Sequence, residues 1–271
     1  LHTDAVEETI TGARDGVSGR WAKQILQISN LKVVRTATPS PLRDGEYQLT
    51  LEQKTELVAA TSVRDIGGIY LGFDVHALQD IQTYRFSGFP SVTSELADGH
   101  VSHDFFMSRK GAMLPTAWVD ELERTYAAGG GSLSKASLPQ LVHRIRRKAS
   151  NELLTLDADA LVSDKRSYTT SLDLFRVRDE EIISPPAGRY RPSNPPRILK
   201  MTRENDFKDW SNTYLLQVAN AHEHKWMGEE YEYITPRHIL QRRSNFARAL
   251  YPITKVLYDK GLINLEDNPT A

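Results

Sequence analysis

TPRHILQRRSNFARALYPITKVLYDKGLIN, residues Thr235–Asn264, is the stretch whose reading decides the fold. Thr235 carries the hydroxyl of a helix N-cap, and Pro236 supplies the fixed φ of a first helical position. Ile239, Leu240, Phe246 and Leu250 fall on one side of a helix, and Ile253, Val256 and Leu257 extend that stripe. Pro252 lies inside the pattern. It lacks an amide donor and restricts Tyr251, so the spacing predicts a kink or a second helix there. Gly261 suits the left-handed position just past a helix end, and Leu262–Ile263 is apolar enough to enter a strand. Arg242, Arg243 and Arg248 crowd the polar side, with Ser244 and Asn245 between them.

Ending on Lys260-Gly261-Leu262-Ile263, residues 235–263 resemble a segment of winged helix-turn-helix domains. The resemblance implies a DNA-reading end, with Arg242, Arg243, Ser244, Asn245 and Arg248 at the start of the reading helix. Arg offers a bidentate fork to guanine or phosphate, and Asn can pair with adenine. Taken by charge alone, the same arginines also suit a solvated surface or a protein partner.

A second basic element lies upstream. In Ser137–Leu154 the residues Leu138, Leu141, Val142 and Ile145 follow the i, i+3, i+4, i+7 rule and predict an amphipathic helix. Its other face carries His143, Arg144, Arg146, Arg147 and Lys148. Arg144, Arg146, Arg147 and Lys148 are candidates for nucleic-acid backbone contact. Lys165, Arg166, Arg189, Arg191 and Arg197 continue the basic run, with Tyr168 and Tyr190 interleaved where they could stack on bases.

The remaining periodicities are mixed. Ala5–Ile28 reads as helix interrupted near Gly16 and Gly19, and Leu31–Arg35 as a short strand. Thr50 with Gln53 three residues on is a capping-box pattern opening another helix. Ile69–Val75 reads as a buried strand, Asp80–Gly111 as irregular with one or two strands, and Thr116–Ala127 as helix with acids in its early turns. Ser167–Arg178 is β-like, Ser184–Pro196 is proline-rich, and Phe207–His222 reads as helix. The expectation is an α+β, helix-rich protein with scattered short strands and a winged-helix-like end. The segment AAGGGSLSKAS is the natural boundary, giving a mixed region 1–128, a Gly-rich linker or mobile loop 129–136, and a basic, helix-rich region 137–271.

Composition narrows the function classes. The 271 residues hold 34 Lys and Arg against 35 Asp and Glu, a net charge of −1. Any polyanion must therefore be bound by a local patch. The absence of cysteine excludes disulfides, thiolate metal sites and thiol catalysis. No apolar run reaches the roughly 20 residues of a membrane span, and Leu1–Gly16 lacks a signal-peptide core. A cytoplasmic location is the expectation. No phosphate-cradling glycine motif of the dinucleotide or P-loop type is present.

Acid and histidine clusters offer chemistry beside this. His100, His103 and Asp104 form one group and His222 with His224 another, both of ligand types that suit a metal or a general base. Asp157, Asp159 and Asp173 invite comparison with metal-dependent nucleases, which use acids on paired strands to bind Mg or Mn and activate water. Phe175 stands where the nuclease lysine would be expected. The leading expectation is nucleic-acid binding, DNA rather than RNA, without a cofactor. Behind it stand a metal-dependent phosphodiester hydrolase and a nucleocapsid-like assembly subunit that would form a homo-oligomer.

Overall fold

A computed structural model describes residues 1–36, 49–127, 137–163, 174–175, 207–218 and 234–265. The chain forms two compact units, one of residues 1–75 and 79–162, the other of 76–78 and 163–271. Helices and strands are mixed throughout, an α+β composition.

The first unit opens with β1 (His2–Thr3), α1 (Glu7–Asp15), α2 (Arg20–Leu26) and β2 (Val34–Arg35), with β1 and β2 paired in parallel. Gly16 at φ 106° ends α1 where the sequence calls for an interruption. Helix α3 (Leu51–Ile66) has both capping-box bonds: Thr50 N–H donates to Gln53 Oε1 at 2.8 Å, and Gln53 N–H donates to Thr50 Oγ1 at 3.3 Å. Leu57, Ala60 and Val63 form its buried side, while Leu51 points to solvent. Gly67, at φ 80°, then turns the chain into β3 (Gly68–Leu71).

After β4 (Val75–Ala77) and the short α4 (Gln82–Arg85), the region read as irregular with one or two strands supplies two, both of them part of the core. β5 (Ser91–Glu95) and β6 (Val101–Ser108) pair antiparallel, and β6 also pairs antiparallel with β3. Helices α5 (Met113–Ala127) and α6 (Ser137–Lys148) follow, and β7 (Leu153–Leu156) returns parallel to β5. The sheet order is β3–β6–β5–β7. Leu57, Ala60, Val63, Phe106, Leu114, Trp118, Leu122, Leu138, Leu141, Val142 and Ile145 belong to one hydrophobic core between helices and sheet.

Four expectations need correction here. The run Ile69–Val75 is not a buried strand: β3 is an edge strand and Ile69 and Leu71 are exposed. The helix α5 begins three residues early, at Met113, so its first turn holds no acid. Helix α6 stops at Lys148 instead of reaching Leu154, because Leu153 and Leu156 are taken by a strand. The Gly-rich segment 129–136 lies outside the described residues, but the helices on either side of it share one core, so the units do not divide there.

In the second unit β9 (Leu215–Gln217) is the middle strand of the order β4–β9–β8, with β8 at Leu161–Ser163. Where a helix was expected from Phe207, the chain forms this short strand. Leu215, Leu216 and Gln217 are all essentially buried, a burial on both faces that a surface helix cannot provide. Ser163 Oγ donates to Gln217 Oε1 at 2.8 Å, which satisfies part of that buried amide. Leu174 and Phe175, expected to be β-like, are helical and buried, with Phe175 stacked 4.8 Å from Phe246. The proline-rich stretch Ser184–Pro196, the basic residues from Lys165 to Arg197 and the tyrosines among them lie outside the described residues.

Two helices come last among the described residues, α7 (Pro236–Gln241) and α8 (Asn245–Asp259). Thr235 caps α7 by accepting from His238 N–H, and Pro236 opens it. The single stripe read from the sequence is broken between them. Arg242 adopts the left-handed conformation at φ 55°, and Ser244 starts α8 by accepting from Ala247 N–H at 3.1 Å. Pro252, where a kink or restart was expected, is held inside α8. Gly261 lies at φ 67° after the C-terminus of α8, and Leu262 N–H returns to Leu257 O at 2.9 Å. Leu262 and Ile263 form no strand. Instead the tail folds back, with Arg237 N–H donating to Leu265 O at 3.1 Å.

Candidate nucleic-acid interface

The amphipathic logic of α6 separates its side chains cleanly. Leu138, Leu141, Val142 and Ile145 are buried, and His143, Arg144, Arg146, Arg147 and Lys148 are exposed. Three of these cations, Arg146, Arg147 and Lys148, occupy the last turn, where the partial negative charge of the helix end favours them. That interaction is worth about 0.3–1 kcal/mol per charge and does not tie the side chains down. Glu121 on α5 lies near enough to Arg144 for the guanidinium to help hold its carboxyl below the usual range, after the larger effect of its bond to Arg124. Among the described residues no carboxylate forms an ion pair with Arg146, Arg147 or Lys148. The result is a local cationic surface on a nearly neutral chain.

The arginines around α7 and α8 are placed differently. Arg242 is the C-cap of α7 and its guanidinium lies 4.5 Å from the Tyr251 ring centre. Arg248 stacks on Phe207 at 3.3 Å, and its Nε donates to Arg242 O at 3.3 Å. Both remain exposed, but each is held by an aromatic ring of its own unit. Arg243 is half-buried. His238 lies below its ordinary pKa of 6.5, chiefly through burial and secondarily through the Arg243 charge. Asn245 is 1% exposed, and its Oδ1 accepts from Lys208 N–H at 2.7 Å. Its amide is therefore an internal bracket between α8 and the segment before Trp210, out of reach of a base edge.

The histidine and acid candidates belong to separate networks. His100 pairs with Asp98 at 3.2 Å. His103 Nδ1 lies 2.9 Å from Glu56 Oε1, and Tyr126 donates its hydroxyl to Glu56 Oε2 at 3.0 Å. Trp118 packs edge-on against the His103 ring at 5.7 Å. Burial, followed by Asp104, Asp74 and Glu56, pushes Tyr70 up to about 12. Glu56 and Tyr126 stand 47 and 70 residues from their partners in this relay, His103 and Glu56, so no local spacing announced either.

Asp157 and Asp159 are exposed in the turn between β7 and β8, where Asp157 Oδ1 accepts from Ala160 N–H at 3.2 Å. That is a turn-stabilising role of the kind short acids favour. Asp173, His222 and His224 lie outside the described residues. Among the described residues, no three His, Asp or Glu side chains converge in a way that could hold a metal ion, and no helix is long and apolar enough to cross a membrane. No family model, curated protein or solved structure matches this chain at a significant level.

Proposed function

We propose that this protein binds nucleic acid, DNA in preference to RNA, through phosphate contacts from the exposed face of α6. The observation that carries the reading is the set Arg144, Arg146, Arg147 and Lys148, exposed together on a helix whose opposite side is locked into the core. A rigid scaffold beneath a cationic face lowers the ordering cost of binding. Lys and Arg have donors and no acceptors, which suits phosphate oxygens. Since the whole chain carries only −1, attraction must come from local patches such as this one and acts at short range in physiological salt.

The test is a fluorescence-anisotropy titration of labelled DNA across about 50 to 200 mM salt, comparing the wild type with Arg146→Gln/Arg147→Gln/Lys148→Gln. Each phosphate contact contributes about 0.9 to the log–log salt slope, so losing three lowers it by about 2.7. Unchanged affinity and slope in a variant of native circular dichroism would refute the assignment.

A further inference from the structure

Resting on that reading of α6, we infer that the partner is duplex DNA, held by its backbone irrespective of base sequence. Three observations converge. The first is charge density. Arg144 to Lys148 rise about 6 Å along the helix axis. Over that length a DNA duplex presents about 3.5 phosphate charges, and one strand about half as many. Four cations match the duplex.

The second is the shape of the face. At about 100° per residue, the buried Leu138, Leu141, Val142 and Ile145 span about 100°, and Arg147 sits opposite their centre. Arg144 and Lys148 flank it on one side and Arg146 on the other, so the cations spread over about 200°. Such an arc touches phosphates on both sides of a groove. It also places the charge at the C-terminal end of α6, whereas helices that read bases in the major groove point their N-terminal residues inward.

The third is what the face lacks and where the base-reading groups went. Residues 137–148 include no Phe, Tyr or Trp; His143 is the one aromatic ring, too small a platform for unstacked bases. Among the amides that suit adenine, Asn245 is buried against Lys208 N–H, and Gln140 sits in the first turn of α6, about 12 Å along the axis from Lys148. Arg242 and Arg248 lie over Tyr251 and Phe207.

The experiment uses the full chain with three labelled duplexes of equal length and unrelated sequence, their separated strands, and phosphatidylserine vesicles. Duplex affinities should agree within about threefold, against the thousandfold or more separating specific from non-specific sites in sequence readers. Single strands should bind about tenfold more weakly, with a shallower salt slope. Arg146→Gln/Arg147→Gln/Lys148→Gln should lower affinity for all three duplexes by the same factor. A preference of a hundredfold for one duplex, or tighter binding of single strands, overturns this inference and leaves the α6 interface standing. Binding to vesicles but to no DNA overturns both.

Discussion

Replacing Glu56 by Ala removes an acceptor that ties three elements of the first unit together. Glu56 stands on α3, His103 on β6 and Tyr126 on α5, and the carboxylate takes one hydrogen bond from each partner, at 2.9 and 3.0 Å. The Tyr126 side chain is 2% exposed, so water cannot fully replace the lost oxygen. A bond to a charged group contributes about 1.5–3 kcal/mol, and the Glu56 carboxylate takes part in two. Because Glu56 and His103 keep some solvent contact, with side-chain exposures of 15% and 28%, the lower end of that range applies to each. The expected loss is about 3 kcal/mol. Hydrogen exchange followed by mass spectrometry is the suitable assay, since a chain of two compact units need not unfold in one step. Protection in α3, β6 and α5 should fall, while α8 should be unaffected. The double-mutant cycle with Tyr126→Phe should yield a coupling of about 1 kcal/mol. A Glu56→Ala chain with wild-type protection in α3 and α5, or a coupling near zero, would show that the relay is incidental to stability.

Two further outcomes follow from backbone geometry and burial. Gly67→Ala should cost more than Gly68→Ala, although both positions have positive φ. A Cβ at Gly67 would lie 2.8 Å from Lys110 N and 3.3 Å from Ser108 O, whereas one at Gly68 meets nothing within 4 Å. The backbone strain is about 1–3 kcal/mol at either site, and only Gly67 adds the clash; equal denaturant midpoints for the two variants would contradict this. His238 has a folded pKa below 6.5, so the unfolded chain binds the extra proton first as pH falls. Its contribution to stability is complete above about pH 6.5 and is lost as pH falls toward the folded pKa. An NMR titration should place the His238 midpoint below 6.5, and His238→Gln should flatten the acid side of the stability profile; a midpoint above 6.5 would refute the burial argument.

The features legible from sequence are those whose cause lies within one turn or one repeat of the chain. Thr50 and Gln53 cap each other three residues apart, the α6 stripe repeats at helical spacing, and Gly261 marks a helix end because a left-handed residue is needed there. What spacing leaves undetermined is set by distant partners. Residues 207–222 have the composition of a helix, but Leu215–Gln217 pair as a strand because strands flank them on both edges and the three residues are buried. Arg242 reads as one more helical arginine, yet the second cap at Ser244 starts a new helix and forces the residues before it to turn.

The two basic elements show why charge patterning alone separates poorly into contact and scaffold. Both carry arginines at helical spacing; the sequence offers those of residues 242–248 for phosphate or bases and those of α6 for backbone. The difference lies in what the polar side meets. Around Arg242 and Arg248 the chain supplies Tyr251 and Phe207, and a guanidinium over an aromatic face gains about 0.5–1 kcal/mol or more without a ligand. Around Arg146, Arg147 and Lys148 the described residues supply neither ring nor carboxylate. A ligand contacting Arg242 must compete with an existing partner, whereas one contacting Arg147 meets no competing ring or carboxylate among the described residues. That inequality is the physical ground for the proposal that phosphate contacts come from α6 while the arginines of the second unit serve the framework.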